Sequence, residues 1–215
     1  MKRIALIHAL QHSIEPINSA FARDWPEAVR VNILDDSLSA DLARNGGVLD
    51  DAMYARFETI ADYAVNTGAD GILFTCSAFG PSIERVAIKH QKIPVLKPNE
   101  AMIAEAAALG GALGLIASFA PTLVSMPPEF PVGTDLRTAL VADAMEALNR
   151  GDMAHHDALV AAASRQLAAQ GAQVIALAQF SMARAASAVA AATGLPVLTT
   201  PESGIRLLRA RLVSQ

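Results

Sequence analysis

Two stretches of this chain, far apart in sequence, carry the same punctuation, and that limits the folds open to it. One, "GADGILFTCSAFGPSIERVAIKHQKIPVLKPNEAMIAEA", begins at Gly68; the other, "GAQVIALAQFSMARAASAVAAATGLPVLTTPESGIRLLRA", begins at Gly171. Gly68-Ala69 falls on Gly171-Ala172 at an offset of 103, Pro94-Val95-Leu96 falls on Pro196-Val197-Leu198 one residue short of it, and Pro98 returns to it at Pro201. Each stretch reads as helix, Gly-Ala, strand, turn, helix, Pro-Val-Leu strand, Pro, helix. Any two βαβ units look somewhat alike. Matched proline punctuation goes further and favours two similar lobes.

Short apolar runs alternate with longer helical patterns along the whole chain. Strands are predicted at 3–8, 29–34, 71–76, 93–97, 112–117, 173–179 and 195–200, and helices at 14–23, 50–67, 81–90, 100–108, 136–150, 153–170, 183–192 and 202–212. Continuous apolar strands separated by helices imply parallel sheets covered on both faces. The expected fold is therefore α/β, with two similar doubly wound parallel-sheet lobes and a cleft between them. Residues 1–97 with 200–215 would form the N-terminal lobe and 98–199 the C-terminal one. Ligands of open α/β sheets collect beyond the carboxyl ends of the strands. Cys76 ends a strand in the first lobe, and Gln179 holds the matching place in the second.

Composition closes off several function classes. Hydrophobic residues make up 53% of the 215, the net charge is −4, and no Lys/Arg cluster of the kind that grips phosphate backbones is present; nucleic acid is excluded as a partner. One cysteine rules out an intramolecular disulfide framework and suits a reducing compartment. "MKRIALIHAL" has basic residues and an apolar run, but His8 interrupts it and no small-residue cleavage site follows, so it reads as a first strand. The most apolar segment, 168–198, is punctuated by Gly171, Gln173, Gln179, Arg184 and Gly194 and falls short of a span of about 20 apolar residues. The expectation is a cytoplasmic protein with no membrane partner.

The segment "ILFTCSAFGP" after Gly-Ala-Asp resembles the first cysteine motif of the aspartate/glutamate/hydantoin racemase superfamily. "ILDDSLSADLARNGG" (33–47), "GLIASFAPTLVS" (114–125) and "VIALAQFSMARA" (174–185) agree with it in order and spacing. The resemblance covers most of the chain. It implies an enzyme without a cofactor or metal, commonly a homodimer, working at a carbon next to a carboxylate of a small acid or amino acid. One thiol from each lobe, acting on opposite faces, removes and returns the α-proton. Relatives use the same cleft to decarboxylate arylmalonates or to isomerise maleate, with a cysteine as nucleophile. The departure here is the second cysteine: Gln179 stands at its repeat-aligned position, with Ser181 two residues on. Neither is a base near neutral pH, where only cysteine is appreciably ionised.

The candidate catalytic residues are thus Cys76, with Gln179 and Ser181 at the opposite position. A buried structural thiol is the plain alternative for Cys76, but a helix opening at Gly80-Pro81 would aim backbone N–H groups at the sulfur and favour its thiolate. Thr75 and Ser77 flank it as donors to a carboxylate or enolate oxygen, or as turn-formers. His8, Gln11 and Ser13 follow the first strand, where His8 or His12 holds a convenient proton or is structural. Asp35 and Ser37 follow the second strand; Arg44 and Arg56 are available to anchor an acid, although Arg56 reads as a solvated helix residue. Ser118 and Thr122, in a loop that supplies hydroxyls in relatives, and Thr200, at the end of the last strand, complete the substrate-binding set. The adjacent His155 and His156 point in different directions on a helix and do not make a metal site.

The expected activity is a racemase or isomerase reaction on a small carboxylic acid or amino acid. The alternatives are a single-cysteine decarboxylase, a maleate-type cis–trans isomerase, or a two-lobed protein that binds a small acid without reacting with it.

Overall fold

The strands form where Ile, Leu, Val and Phe run continuously, because parallel sheets are covered on both faces. The computed structural model describes residues 1–213. The chain divides into two units, one of Met1–Pro98 with the segment from Gly204 onward, the other of Asn99–Ser203.

In the first unit, β1 (Arg3–His8), α1 (Ile14–Asp24), β2 (Val29–Leu34), α2 (Ser37–Arg44), α3 (Asp51–Asn66), β3 (Gly71–Phe74), α4 (Gly80–Lys89) and β4 (Val95–Leu96) follow one another. Its sheet has the order β2-β1-β3-β4, all parallel. The second contains α5 (Glu100–Leu109), β5 (Leu113–Ala117), α6 (Ala120–Ser125), β6 (Leu136–Leu140), α7 (Ala142–Asn149), α8 (Met153–Ala169), β7 (Val174–Leu177), α9 (Ala186–Thr193) and β8 (Val197–Thr199), and α10 (Thr200–Val213) begins in it and runs on into the first. Its sheet order, β6-β5-β7-β8, repeats the first. The fold is α/β with two four-stranded parallel sheets.

The Gly-Ala pairs have a shared physical cause. Gly68 (φ +86°) and Gly171 (φ +94°) take left-handed conformations that side chains disfavour, and end α3 and α8. Gly68 N–H donates to Val65 O and Ala69 N–H to Ala64 O; Gly171 N–H donates to Ala168 O and Ala172 N–H to Leu167 O. Both are the paired bonds of a glycine C-cap, which satisfy helix carbonyls and turn the chain into the strand. The Pro-Val-Leu strands then dock alike, with Ile72 N–H on Pro94 O and Ile175 N–H on Pro196 O, both at 2.9 Å.

The predicted helix over 136–150 is corrected. Leu136–Leu140 is the strand β6, paired with β5 from Leu113↔Leu136 to Ala117↔Leu140, and only Ala142–Asn149 is helical. Leu, Arg and Ala are good helix formers, so local propensity pointed the wrong way and sheet pairing overrode it. The short helices α2 and α6 were also not anticipated. The apolar segment 168–198 resolves into β7, α9 and β8 with their turns, and no described helix is long and apolar enough to cross a membrane.

Candidate active site

Cys76 lies two residues past the last residue of β3, still extended (φ −126°, ψ 121°), and opens a tight 3-10 turn, Ser77–Phe79, that leads into α4. The turn is held from below by aromatic packing: the Phe57 ring of α3 lies 5.5 Å from Phe74 and 4.8 Å from Phe79, centroid to centroid, and all three are buried. Cys76 itself is only partly buried. Beside it Ile7, Ala9, Leu38, Phe57 and Phe74 enclose, with His8, a gap too narrow for water.

The sulfur's surroundings set its protonation. Burial pushes the Cys76 thiol up from its ordinary range, and the Ala78 N–H, directed at the sulfur, pulls it down only in part. The helix start expected after Cys76 is present, but the amide that reaches the sulfur belongs to the 3-10 turn before it. The resting side chain is a thiol rather than a standing thiolate. Ser77 is also partly exposed in this turn.

Behind the cysteine runs a chain of hydrogen bonds. His8 is fully buried; its Nδ1 is 3.0 Å from Thr75 Oγ1 and its Nε2 3.0 Å from Asn32 Oδ1. That Asn32 oxygen also accepts from Asn18 Nδ2 at 3.2 Å, while Asn32 Nδ2 donates to Asn18 Oδ1 at 3.3 Å. With Asn32 presenting its oxygen, Nε2 carries the proton and Nδ1 accepts from the Thr75 hydroxyl. Burial holds His8 below the usual histidine range, against the opposing pull of Asn32, so the ring is neutral. Thr75 is buried, with its hydroxyl turned toward His8 and, at 3.4 Å, the Ile7 carbonyl. Asn32 and Asn18 were missed in the sequence; the one polar residue inside the apolar part of "VRVNIL" was the available signal.

The other first-unit candidates lie in two further places. Gln11 is exposed and Ser13 buried in a 3-10 turn after β1. Asp35 is gripped by Arg56, whose Nε and Nη2 donate at 2.7 and 2.6 Å, and by the N–H and hydroxyl of Ser37. Arg56 Nη1 bonds Asp41 at 2.7 Å, and its Nη2 also bonds the Ser37 hydroxyl. Burial raises the Asp35 carboxyl, but the bonds from Ser37 and Arg56 outweigh it and hold it below the usual carboxylate range. Arg56 is therefore a half-buried staple between α3 and the loop after β2, not a solvated helix residue. Arg44 is mostly exposed and pairs with Asp41 at 3.2 Å.

In the second unit Gln179 occupies the position that Cys76 has in the first. It lies two residues past β7, is extended (φ −134°, ψ 144°), and opens the 3-10 turn Phe180–Ala185. Its Oε1 accepts from Ser118 N–H at 2.6 Å and from the Ser118 hydroxyl at 3.0 Å; Ser118, just past β5, is 4% exposed. Ser181 is buried within the turn. Arg184 fastens that turn to α8, with Nε and Nη2 on the two Asp157 oxygens at 2.9 and 3.0 Å. His156, buried in α8, contacts the same carboxylate at 2.7 Å. Among the described residues no group of three His, Cys, Asp or Glu suited to a metal ion occurs.

Thr122 is buried in α6, and Thr200 is buried where α10 begins. The hydroxyls of Thr199 and Thr200 make no hydrogen bond among the described residues, and neither do the two amide atoms of buried Asn99, just before α5. Asn99 was overlooked in "LKPNEAM" because an Asn before a helix reads as a cap; here no side-chain capping bond forms.

The sequence matches the family Asp/Glu/Hydantoin racemase over residues 12–208. No curated protein matches it. Among solved structures it is similar to aspartate racemase from Picrophilus torridus (TM-score 0.71, 12% identity, covering 99% of this chain and 95% of that one). It is likewise similar to allantoin racemase from Klebsiella pneumoniae (0.68, 17%, 100% and 88%) and to a glutamate racemase isoform from Bacillus anthracis (0.74, 14%, 99% and 82%). At these identities the likeness is one of fold. The family match, running from His12 to Leu208, carries the assignment: this chain belongs to the Asp/Glu/Hydantoin racemase family.

Proposed function

We propose that the protein is a cofactor-independent enzyme of racemase or isomerase type acting on a small carboxylic acid or amino acid, with Cys76 as its proton-transferring or nucleophilic group. The observation that carries this is the placing of the only cysteine: beyond the end of β3, partly exposed, with the Ala78 N–H on its sulfur and a stiff aromatic floor beneath the turn. In the forward step Cys76 first gives its own proton to solvent, and the resulting thiolate takes the α-proton while the C–H electron pair moves into the carboxylate to give an enolate. In the return step the thiol gives a proton back to that carbon on the same face, which exchanges the α-hydrogen; inversion takes a proton from water on the opposite face. An α-proton beside a carboxylate is weakly acidic, so donors on the enolate oxygens must share the work.

One thiol serves one face. That, together with the burial that keeps Cys76 protonated, supports a second reading in which the enzyme decarboxylates a malonate-type acid and Cys76 protonates the resulting enolate from one side. Product stereochemistry separates the two: a racemase yields both enantiomers, a one-thiol decarboxylase one. The direct test incubates the protein in D₂O with D- and L-amino acids and substituted malonates. Deuterium is expected at the α-carbon, and Cys76→Ala should lower its incorporation by about 10²- to 10⁴-fold. Undiminished exchange in that variant would remove Cys76 from the mechanism.

A further inference from the structure

Gln179 holds in the second unit the place that Cys76 holds in the first, and its hydrogen bonds assign it another task. The Ser118 backbone N–H can only donate, so the Gln179 atom 2.6 Å away has to be the carbonyl oxygen. The Ser118 hydroxyl, 3.0 Å from the same oxygen, adds a second bond. The acceptor end of the amide is thus spent inside the second unit. What remains is Nε2 with two N–H groups, which makes no hydrogen bond among the described residues, on a side chain that is only partly buried.

The mount is stiff. Ser118 is buried, Phe180 and Met182 of the following turn are buried, and Arg184 ties that turn to Asp157 of α8. An amide neither gives nor takes a proton near neutral pH, whereas a fixed pair of amide N–H groups suits an oxygen acceptor and suits an ammonium group badly. From this geometry we infer that Gln179 is a specificity-determining residue that binds a carboxylate oxygen of the substrate through Nε2. The inference rests on the reading that the substrate is a small acid, and it gives Gln179 a binding role rather than a proton-transfer one.

Gln179→Glu tests this cleanly, because the new side chain keeps an oxygen for Ser118 and exchanges the NH₂ for a second oxygen. Binding of malonate and its monoamide, malonamate, is measured by calorimetry on the full chain above pH 7, together with KM and kcat for whichever acid shows exchange. A hydrogen bond to a charged group is worth about 1.5–3 kcal/mol, so the variant should bind malonate at least 10-fold more weakly. It should also shift preference toward malonamate, whose amide can donate to the new carboxylate, with the lost malonate affinity appearing in KM. Gln179→Met, which removes the donors without adding charge, should lose malonate affinity with no gain for malonamate. A purely structural role would weaken both ligands equally and leave the preference unchanged, which overturns the inference. If Gln179→Glu keeps the wild-type preference while Cys76→Ala still abolishes exchange, this assignment falls and the enzyme reading stands; if Cys76→Ala keeps full exchange, the enzyme reading falls by itself.

Discussion

The end of β3 and the end of β7 are built on the same backbone and tied down in different ways. Each places an extended residue before a 3-10 turn, and each is docked alike on the central strand, through Thr75 N–H on Ile7 O at 3.0 Å and Ala178 N–H on Ile116 O at 2.9 Å. In the first unit the buried polar bonds belong to Thr75 and His8, which leaves the neighbouring sulfur with one backbone N–H for company. In the second unit the residue at the tip turns back on Ser118 and spends its own acceptor. The repeat preserves the scaffold and lets the tips differ: the Cys76 sulfur is met by the Ala78 N–H alone, whereas the Gln179 oxygen is held by both the N–H and the hydroxyl of Ser118.

The sharpest way to break this comparison is at the sulfur. Cys76→Ser keeps the size and hydrogen-bonding capacity but removes a group ionisable near neutral pH, and about 10²-fold or more of the deuterium exchange should be lost. In the intact protein, the rate of alkylation by iodoacetamide should rise with pH to a midpoint above that of a simple thiol, because burial raises Cys76. A midpoint below it would show that the turn activates the sulfur more than its desolvation disfavours it.

Next in size is the aromatic floor. Phe57→Ala removes a buried ring lying against both Phe74 and Phe79, and should cost about 3–5 kcal/mol in chemical denaturation.

The buried histidine gives a smaller, pH-dependent effect. Its folded pKa is depressed, so the unfolded chain binds the extra proton more readily. The corresponding stability is present above the unfolded value of about 6.5 and is lost as pH falls below it toward the folded value. Asp35, also depressed, adds a loss at lower pH, as its carboxylate protonates and lets go of Arg56 and Ser37. His8→Gln should flatten the histidine part of a stability-against-pH curve; a curve unchanged near pH 6 would show that His8 is not desolvated. The smallest effect is expected for Ser118→Ala, which removes one of the two bonds on Gln179 and should cost about 1 kcal/mol.

Much of this architecture was legible because it depends on local punctuation. The Gly-Ala pairs announce two helix ends whose left-handed residue only glycine adopts easily, and the prolines mark where strands begin. β6 was not legible, since "LRTAL" has helical propensity and becomes a strand only by pairing with β5. Extending the repeat backwards, so that "VRVNIL" lies over "LRTALV", was the comparison that would have found it. At the site, Cys76 stood out because it is single and follows an apolar run. The His8–Asn32 and Ser118–Gln179 bonds did not, because they join residues 24 and 61 apart that only strand order makes neighbours.

The helix that closes the chain's described part has a bearing on biosynthesis. Ile205, Leu208 and Leu212 of α10 are buried, and Leu208 and Leu212 lie beside Gly71 of β3. The cysteine's own sheet therefore lacks part of its cover until the ribosome has made residues beyond Ser203, whereas the Asn99–Ser203 half comes from one uninterrupted stretch. The sheet that carries Cys76 is thus fully covered only after the whole of the other unit has been made.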